Sequence, residues 1–95
     1  KDSTVYKRAN ISRKLFSKIL CSTNYNPKKK TVLAFAVGLR LTEQETTDLL
    51  KSAGYAFSDS SKQDLIVRYC LEHKIYNINQ INALLFEYDQ DQLGN

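Results

Sequence analysis

The stretch that decides the fold of this chain reads KKTVLAFAVGL and covers residues 29–39. After its two lysines it is almost entirely apolar, which is typical of a helix buried near the centre of a core. Pro27 pushes Asn26 towards extended geometry, so the helix is expected to begin after these two residues. We therefore predict a helix over residues 29–39 in the middle of the hydrophobic core.

Helical spacing and capping signals continue on both sides of this stretch. Thr42 and Glu45 are spaced as a capping box, Gly54 is a stop signal, and Ser61 and Asn77 are suitable N-caps. No strand or tight hairpin signal competes with them. The chain is predicted to be all-α, a helix-turn-helix bundle of about five helices, with a fraying tail at 89–95. Six segments carry these signals, one more than the approximate count of five: 3–9, 12–20, 29–39, 42–53, 61–74 and 78–88.

The size of the chain, 95 residues, suits a single hydrophobic core. No run of 18 apolar residues is present, and the first residues lack the apolar stretch of a signal peptide. We therefore expect a cytoplasmic protein without membrane insertion. The sequence contains no Met and opens with Lys1, so we expect it to be a piece of a longer polypeptide.

Charge is distributed unevenly along the chain. Residues 1–30 hold nine Lys or Arg against one acid, a net charge of +8, whereas residues 31–95 hold five against nine, a net charge of −4. A cationic end attracts polyanions such as nucleic acid. Lys28, Lys29 and Lys30 stand at the predicted start of a helix, where cations oppose the helix dipole unless an anion such as phosphate joins them.

Residues 3–9 and 12–20 are separated by a turn of only about three residues, which is the length of a helix-turn-helix. The second of these helices is predicted to bury Leu15, Phe16 and Ile19. Its outward face is predicted to carry Arg13, Lys14, Ser17 and Lys18.

The sequence VYKRANISRKLFSKI at 5–19, the polar loop ending at Pro27, and TVLAFAVGL at 31–39 resemble the lambda-repressor-like (Cro-type, xenobiotic-response-element) helix-turn-helix family. The resemblance covers residues 2–57. Tyr6 stands where the family has a small residue and Asn10 replaces the turn glycine, as in a degenerate or N-terminally truncated member. The resemblance implies a helix-turn-helix core at 1–57 and a C-terminal helical pair at 58–95 packed on the same core.

The function implied by this resemblance is sequence-specific binding of double-stranded DNA, within a transcriptional regulatory module of a larger bacterial protein. The recognition helix would enter the major groove, with Arg13 contacting a base and the lysines contacting phosphates. No cofactor or metal is expected, and dimerisation is left open. The DNA-binding residues implied are Ser12, Arg13, Lys14, Ser17, Lys18, Lys28, Lys29 and Lys30.

An alternative function is a protein-interaction or autoregulatory helical module appended to a catalytic domain, since similar modules occur in that setting. Its partner would be another domain of the parent protein. The acidic rear half and the tyrosines Tyr69, Tyr76 and Tyr88 favour this alternative, because aromatic residues are enriched at interfaces. Most of these tyrosines are nevertheless expected to be core or half-buried.

Catalysis is not expected, because the chain lacks a glycine-rich phosphate loop, paired metal-ligand spacings and more than one histidine. Cys70 and His73 are three residues apart and could share a helix face. The apolar run around Cys70 instead favours a small buried hydrophobe. A disulfide between Cys21 and Cys70 would be unusual in a cytosolic protein.

Overall fold

The computed structural model of the chain describes residues 27–94. Within this range the chain is all-helical and contains no strand, which confirms the predicted class for the described residues. The helices predicted over 3–9 and 12–20 lie outside these residues, so the five-helix, lambda-repressor-like bundle stays a prediction. The described helices are α1 (Lys29–Gly38), α2 (Glu43–Ser52), α3 (Lys62–Glu72) and α4 (Ile78–Glu87).

Three of the four helices begin at the predicted N-cap side chains. Thr42 Oγ1 accepts the Glu45 N–H at 3.1 Å while Glu45 Oε1 accepts the Thr42 N–H at 2.9 Å, a complete capping box. Ser61 and Asn77 cap α3 and α4 in the same way, through one side-chain oxygen each. These side chains satisfy backbone donors that a helix start leaves without partners.

All four helices end in the same backbone motif. At the end of α1, the Arg40 N–H bonds to the Val37 carbonyl and the Leu41 N–H bonds to the Ala36 carbonyl. This pair of bonds is the Schellman motif, which places the residue after the C-cap in the left-handed region. That residue is Gly54 in α2, but in the other helices it is a residue with a side chain. Their φ angles are 56° for Arg40, 57° for Lys74 and 58° for Asp89.

The core is built around α1, as the apolar sequence predicted. Val32, Leu33, Ala34, Ala36 and Val37 are all buried. α1 packs against both α2 and α4, while α3 packs against α2 and α4. The helices share one cluster of buried apolar side chains.

Arg68 joins α3 to the start of α2 and to the loop before α3. Its Nε lies 2.9 Å from Glu43 Oε2, and one terminal nitrogen lies 2.9 Å from Asp59 Oδ1. The hydrogen bonds to Glu43 and then Asp59 raise the pKa of the Arg68 guanidinium. The guanidinium also lies over the Phe57 ring, 5.5 Å from its centroid. The loop between α2 and α3 is therefore attached to the helices it connects.

The tail after α4 is packed, so the predicted fraying is wrong for residues 89–94. Leu93 is buried, and the Asn82 side chain donates to its carbonyl at 3.2 Å and accepts its N–H at 2.7 Å. Thr31 Oγ1 donates to the Gly94 carbonyl at 2.8 Å. These bonds attach the tail to α4 and α1, and polar composition alone did not reveal them.

Candidate functional site

The described part of the predicted DNA-binding surface is the N-terminus of α1. Lys28 is the N-cap residue, in extended geometry after Pro27, and its own side chain makes no capping hydrogen bond. The first turn contains no acid. Lys28 is exposed and Lys30 is half-buried. Among residues 27–94, neither of these two side chains forms an ion pair.

Lys29 has a different environment from its neighbours. Its Nζ lies 2.7 Å from Oδ2 of Asp64, a carboxylate in the first turn of α3 whose side chain is fully buried. The same oxygen accepts the Ser58 N–H at 2.7 Å, and Oδ1 has no hydrogen-bond partner among residues 27–94. The anion that the lysine cluster was expected to need is thus supplied, for Lys29, by the protein itself.

The five predicted recognition-helix residues lie outside the described residues, and their position relative to Lys28 and Lys30 is not described. Their role in DNA binding therefore stays a prediction, as does that of the three lysines. The residues concerned are Ser12, Arg13, Lys14, Ser17 and Lys18.

A second candidate site is an apolar groove between α3 and α4, with a volume of about 380 Å³. Two tyrosines form part of its walls, and both are more than half exposed, Tyr69 at 53% and Tyr88 at 55%. The expectation that most of the three rear tyrosines are core or half-buried is therefore wrong for these two. The residues that line the groove, termed the α3–α4 groove below, are Leu65, Ile66, Tyr69, Leu84 and Tyr88.

Tyr76 behaves as expected, because it is half-buried and its hydroxyl donates to the Leu41 carbonyl at 2.9 Å.

The sequence does contain a signal for the groove. The buried side of α3 is formed by Asp64, Val67, Cys70 and Leu71, whereas Leu65 and Tyr69 are apolar residues outside this set. The apolar surface of α3 is therefore wider than packing in the core requires. The sequence analysis did not detect this excess, which is the signal for the groove.

The Tyr69 ring is oriented by the end of its own helix. It stacks on the imidazole of His73 with ring centroids 4.1 Å apart and an interplanar angle of 30°. His73 Nδ1 in turn lies 2.9 Å from the Tyr69 carbonyl oxygen. These contacts hold one wall of the groove in place, which lowers the entropy lost when a partner binds.

Cys70 and His73 do not form a thiolate-imidazole pair. Cys70 is fully buried and His73 is exposed, and burial raises the pKa of the Cys70 thiol. A protonated, inaccessible thiol is a poor nucleophile, so Cys70 acts as a core residue, in agreement with the interpretation from sequence.

Residues 27–94 contain neither a cluster of metal ligands nor a membrane-spanning helix. No three potential metal-ligating side chains come together there, and none of the four helices has the length and apolar character needed to span a bilayer. Comparison of the chain with protein-family models, curated proteins and solved structures finds no match.

Proposed function

We propose that this chain binds double-stranded DNA through the predicted recognition helix at residues 12–20, as a regulatory module of a larger protein. The main support is the positive charge at the start of α1, where neither Lys28 nor Lys30 forms an ion pair with another residue of 27–94. Six further Lys or Arg residues precede Pro27. Helix N-termini and adjacent lysines favour phosphate.

The three lysines do not share one role in this proposal. Lys28 and Lys30 contact phosphates, whereas Lys29 is neutralised by Asp64 and acts as a structural link. Arg13 contacts a base edge, because its planar fork matches the O6 and N7 acceptors of guanine. Lys14, Lys18, Ser12 and Ser17 complete the contacts to the duplex.

A titration of labelled duplexes with the full chain tests this proposal. For about four phosphate contacts, affinity should fall on the order of a hundredfold when salt rises from about 50 to about 200 mM. Lys28→Ala should weaken binding to every duplex, whereas Arg13→Ala should change the order of preference among duplexes. Lys51→Ala, an exposed lysine at the end of α2, is the matched control. Absence of binding at the lower salt, or binding indifferent to salt, contradicts the proposal.

The α3–α4 groove favours a second candidate function, a protein-interaction module. An exposed apolar groove with aromatic walls is the kind of surface that partner side chains fill. NMR titration with an apolar helical peptide tests this candidate. Shifts concentrated on α3 and α4 support it, whereas no shifts, or shifts spread over the whole chain, contradict it.

A further inference from the structure

We propose that the α3–α4 groove binds an amphipathic helix of another protein, whose apolar stripe is flanked by lysine or arginine. This inference rests on the second candidate function and names the chemistry of its partner.

The groove is formed by the consecutive helices α3 and α4, which are joined by the short loop 73–77. The hydrogen bond from Gln63 Nε2 to the Asp91 carbonyl, 2.8 Å long, joins the start of α3 to the chain just after α4. A channel between two helices is suited to a third helix, whose anchors follow an i, i+3, i+4, i+7 spacing. The volume of about 380 Å³ lies at the small end of binding pockets, about 300–1,000 Å³, so only a few apolar side chains can enter.

Three exposed acidic side chains lie close in sequence to residues that line this groove. Glu72, Glu87 and Asp91 follow the lining residues Tyr69, Leu84 and Tyr88 by three positions, and all three acids are exposed. Residues three apart are neighbours on a helix surface, so Glu72 is a neighbour of Tyr69 on α3 and Glu87 is a neighbour of Leu84 on α4. Asp91 lies beyond the end of α4, and its carbonyl accepts a hydrogen bond from Gln63 at the start of α3. None of the three acids forms an ion pair with another residue in the described range. Two cations stand at comparable positions, Lys62 three residues before Leu65 and Arg68 three residues after it. The Arg68 guanidinium is already paired with Glu43 and Asp59.

This excess of acid decides between possible partners. In a symmetric dimer through the groove, the same patch would face itself and bring the carboxylates of two copies together. Like charges juxtaposed across an interface are unfavourable, whereas opposite charges accelerate association and select the partner. A basic helix satisfies both the apolar floor and the acidic edges, and a second copy of this face does not.

The test uses the full chain and three fluorescently labelled helical peptides, compared by anisotropy. The first peptide carries leucines at an i, i+3, i+4, i+7 spacing with lysines beside them. The second has the same leucines with glutamates in place of the lysines, and the third keeps the lysines but replaces the leucines by serine. The first peptide should bind at least about tenfold more tightly than either of the others at low salt.

Variants of the chain locate the binding surface. Tyr69→Ala and Tyr88→Ala should each weaken binding of the first peptide about tenfold, as expected for exposed aromatic anchors that the partner covers on binding. Phe86→Ala is the matched control, because Phe86 is 72% exposed on α4 but does not line the groove. Glu87→Lys should remove the preference for the basic peptide, whereas Asp48→Lys on α2 should not. Circular dichroism of each variant confirms that it is folded.

The outcomes distinguish an error in the charge of the partner from an error in the protein-interaction function itself. Equal binding of the basic and acidic peptides overturns the assigned charge while leaving a helix-binding groove. Failure of all three peptides, or equal losses for Tyr69→Ala and Phe86→Ala, overturns the groove itself. Sedimentation measures whether the chain associates with itself. Self-association that Tyr69→Ala abolishes would overturn the basic helix as the partner and show that a second copy of the chain occupies the groove.

Discussion

The Nζ of Lys29 lies 2.7 Å from Oδ2 of Asp64, so the first turn of α1 is joined to the first turn of α3 across 35 positions of sequence. The carboxylate is fully buried, while the lysine side chain is 26% exposed. Removing one partner of a buried ion pair leaves an uncompensated charge in the interior, which is strongly destabilising.

Lys29→Met should therefore lower the free energy of unfolding by about 3 kcal/mol. Lys28→Met removes the same charge from an exposed neighbour and should change it by no more than about 0.5 kcal/mol. Urea unfolding of the two variants measures the difference. Similar effects for both would show that the ion pair does not hold α1 to α3.

The docked tail leads to a second prediction. Asn82→Ala should cost about 2 kcal/mol, because it leaves both backbone polar groups of the buried Leu93 without their partner. Leu93→Ala should cost about 2 to 3 kcal/mol through the loss of buried apolar surface. Asn79→Ala, an exposed asparagine on the same helix, is the control. Thermal unfolding unchanged in all three variants would mean that the tail is not part of the folded unit.

The left-handed residue at the end of α3 leads to a substitution that should raise the free energy of unfolding. Lys74 has a φ of 57°, and a residue with a Cβ pays about 1 to 2 kcal/mol in this region, part of which glycine avoids. Lys74→Gly should therefore raise the free energy of unfolding by about 0.5 to 1 kcal/mol, whereas Lys74→Ala should not. Gly54→Ala should lower it by about 1 kcal/mol from backbone strain alone, since an added Cβ would meet nothing within 4 Å. Denaturant unfolding that gives the same sign for Lys74→Gly and Gly54→Ala would contradict the prediction.

Cys70 makes stability depend on pH in the alkaline range. Burial raises the pKa of its thiol above that of the unfolded chain, about 8.5. Between these two values the unfolded chain has lost the proton that the folded chain keeps, so the free energy of unfolding falls as pH rises. The fall should be steeper for the wild type than for Cys70→Ala between about pH 8 and pH 10, by up to about 1.4 kcal/mol per pH unit. Parallel curves from urea unfolding would contradict this.

Local sequence signals were sufficient to predict a helix end wherever a nearby side chain or glycine fixes its backbone hydrogen bonds or φ angle. The capping box of Thr42 and Glu45 and the stop at Gly54 were correctly predicted, because their hydrogen bonds and φ angles depend on residues a few positions apart. The burial of α1 was equally predictable, since a nearly continuous apolar run has no polar face to expose. The helix-turn-helix at 5–19 and its DNA contacts remain predictions from the same kind of local pattern.

The candidate sites required the tertiary structure. Whether a lysine faces solvent or a buried carboxylate 35 positions away depends on how two helices meet, and so Lys29 differs from Lys28 although their sequence environment is the same. The exposure of Tyr69 and Tyr88 likewise depends on the gap between α3 and α4 and not on the apolar character of either helix. Sequence alone determined the four described helices, the side-chain caps of three of them and the central element of the core, because these follow from short-range hydrogen bonding and apolar periodicity. The charges that remain available, the apolar surface that stays open and the attachment of the tail were decided by packing between distant segments.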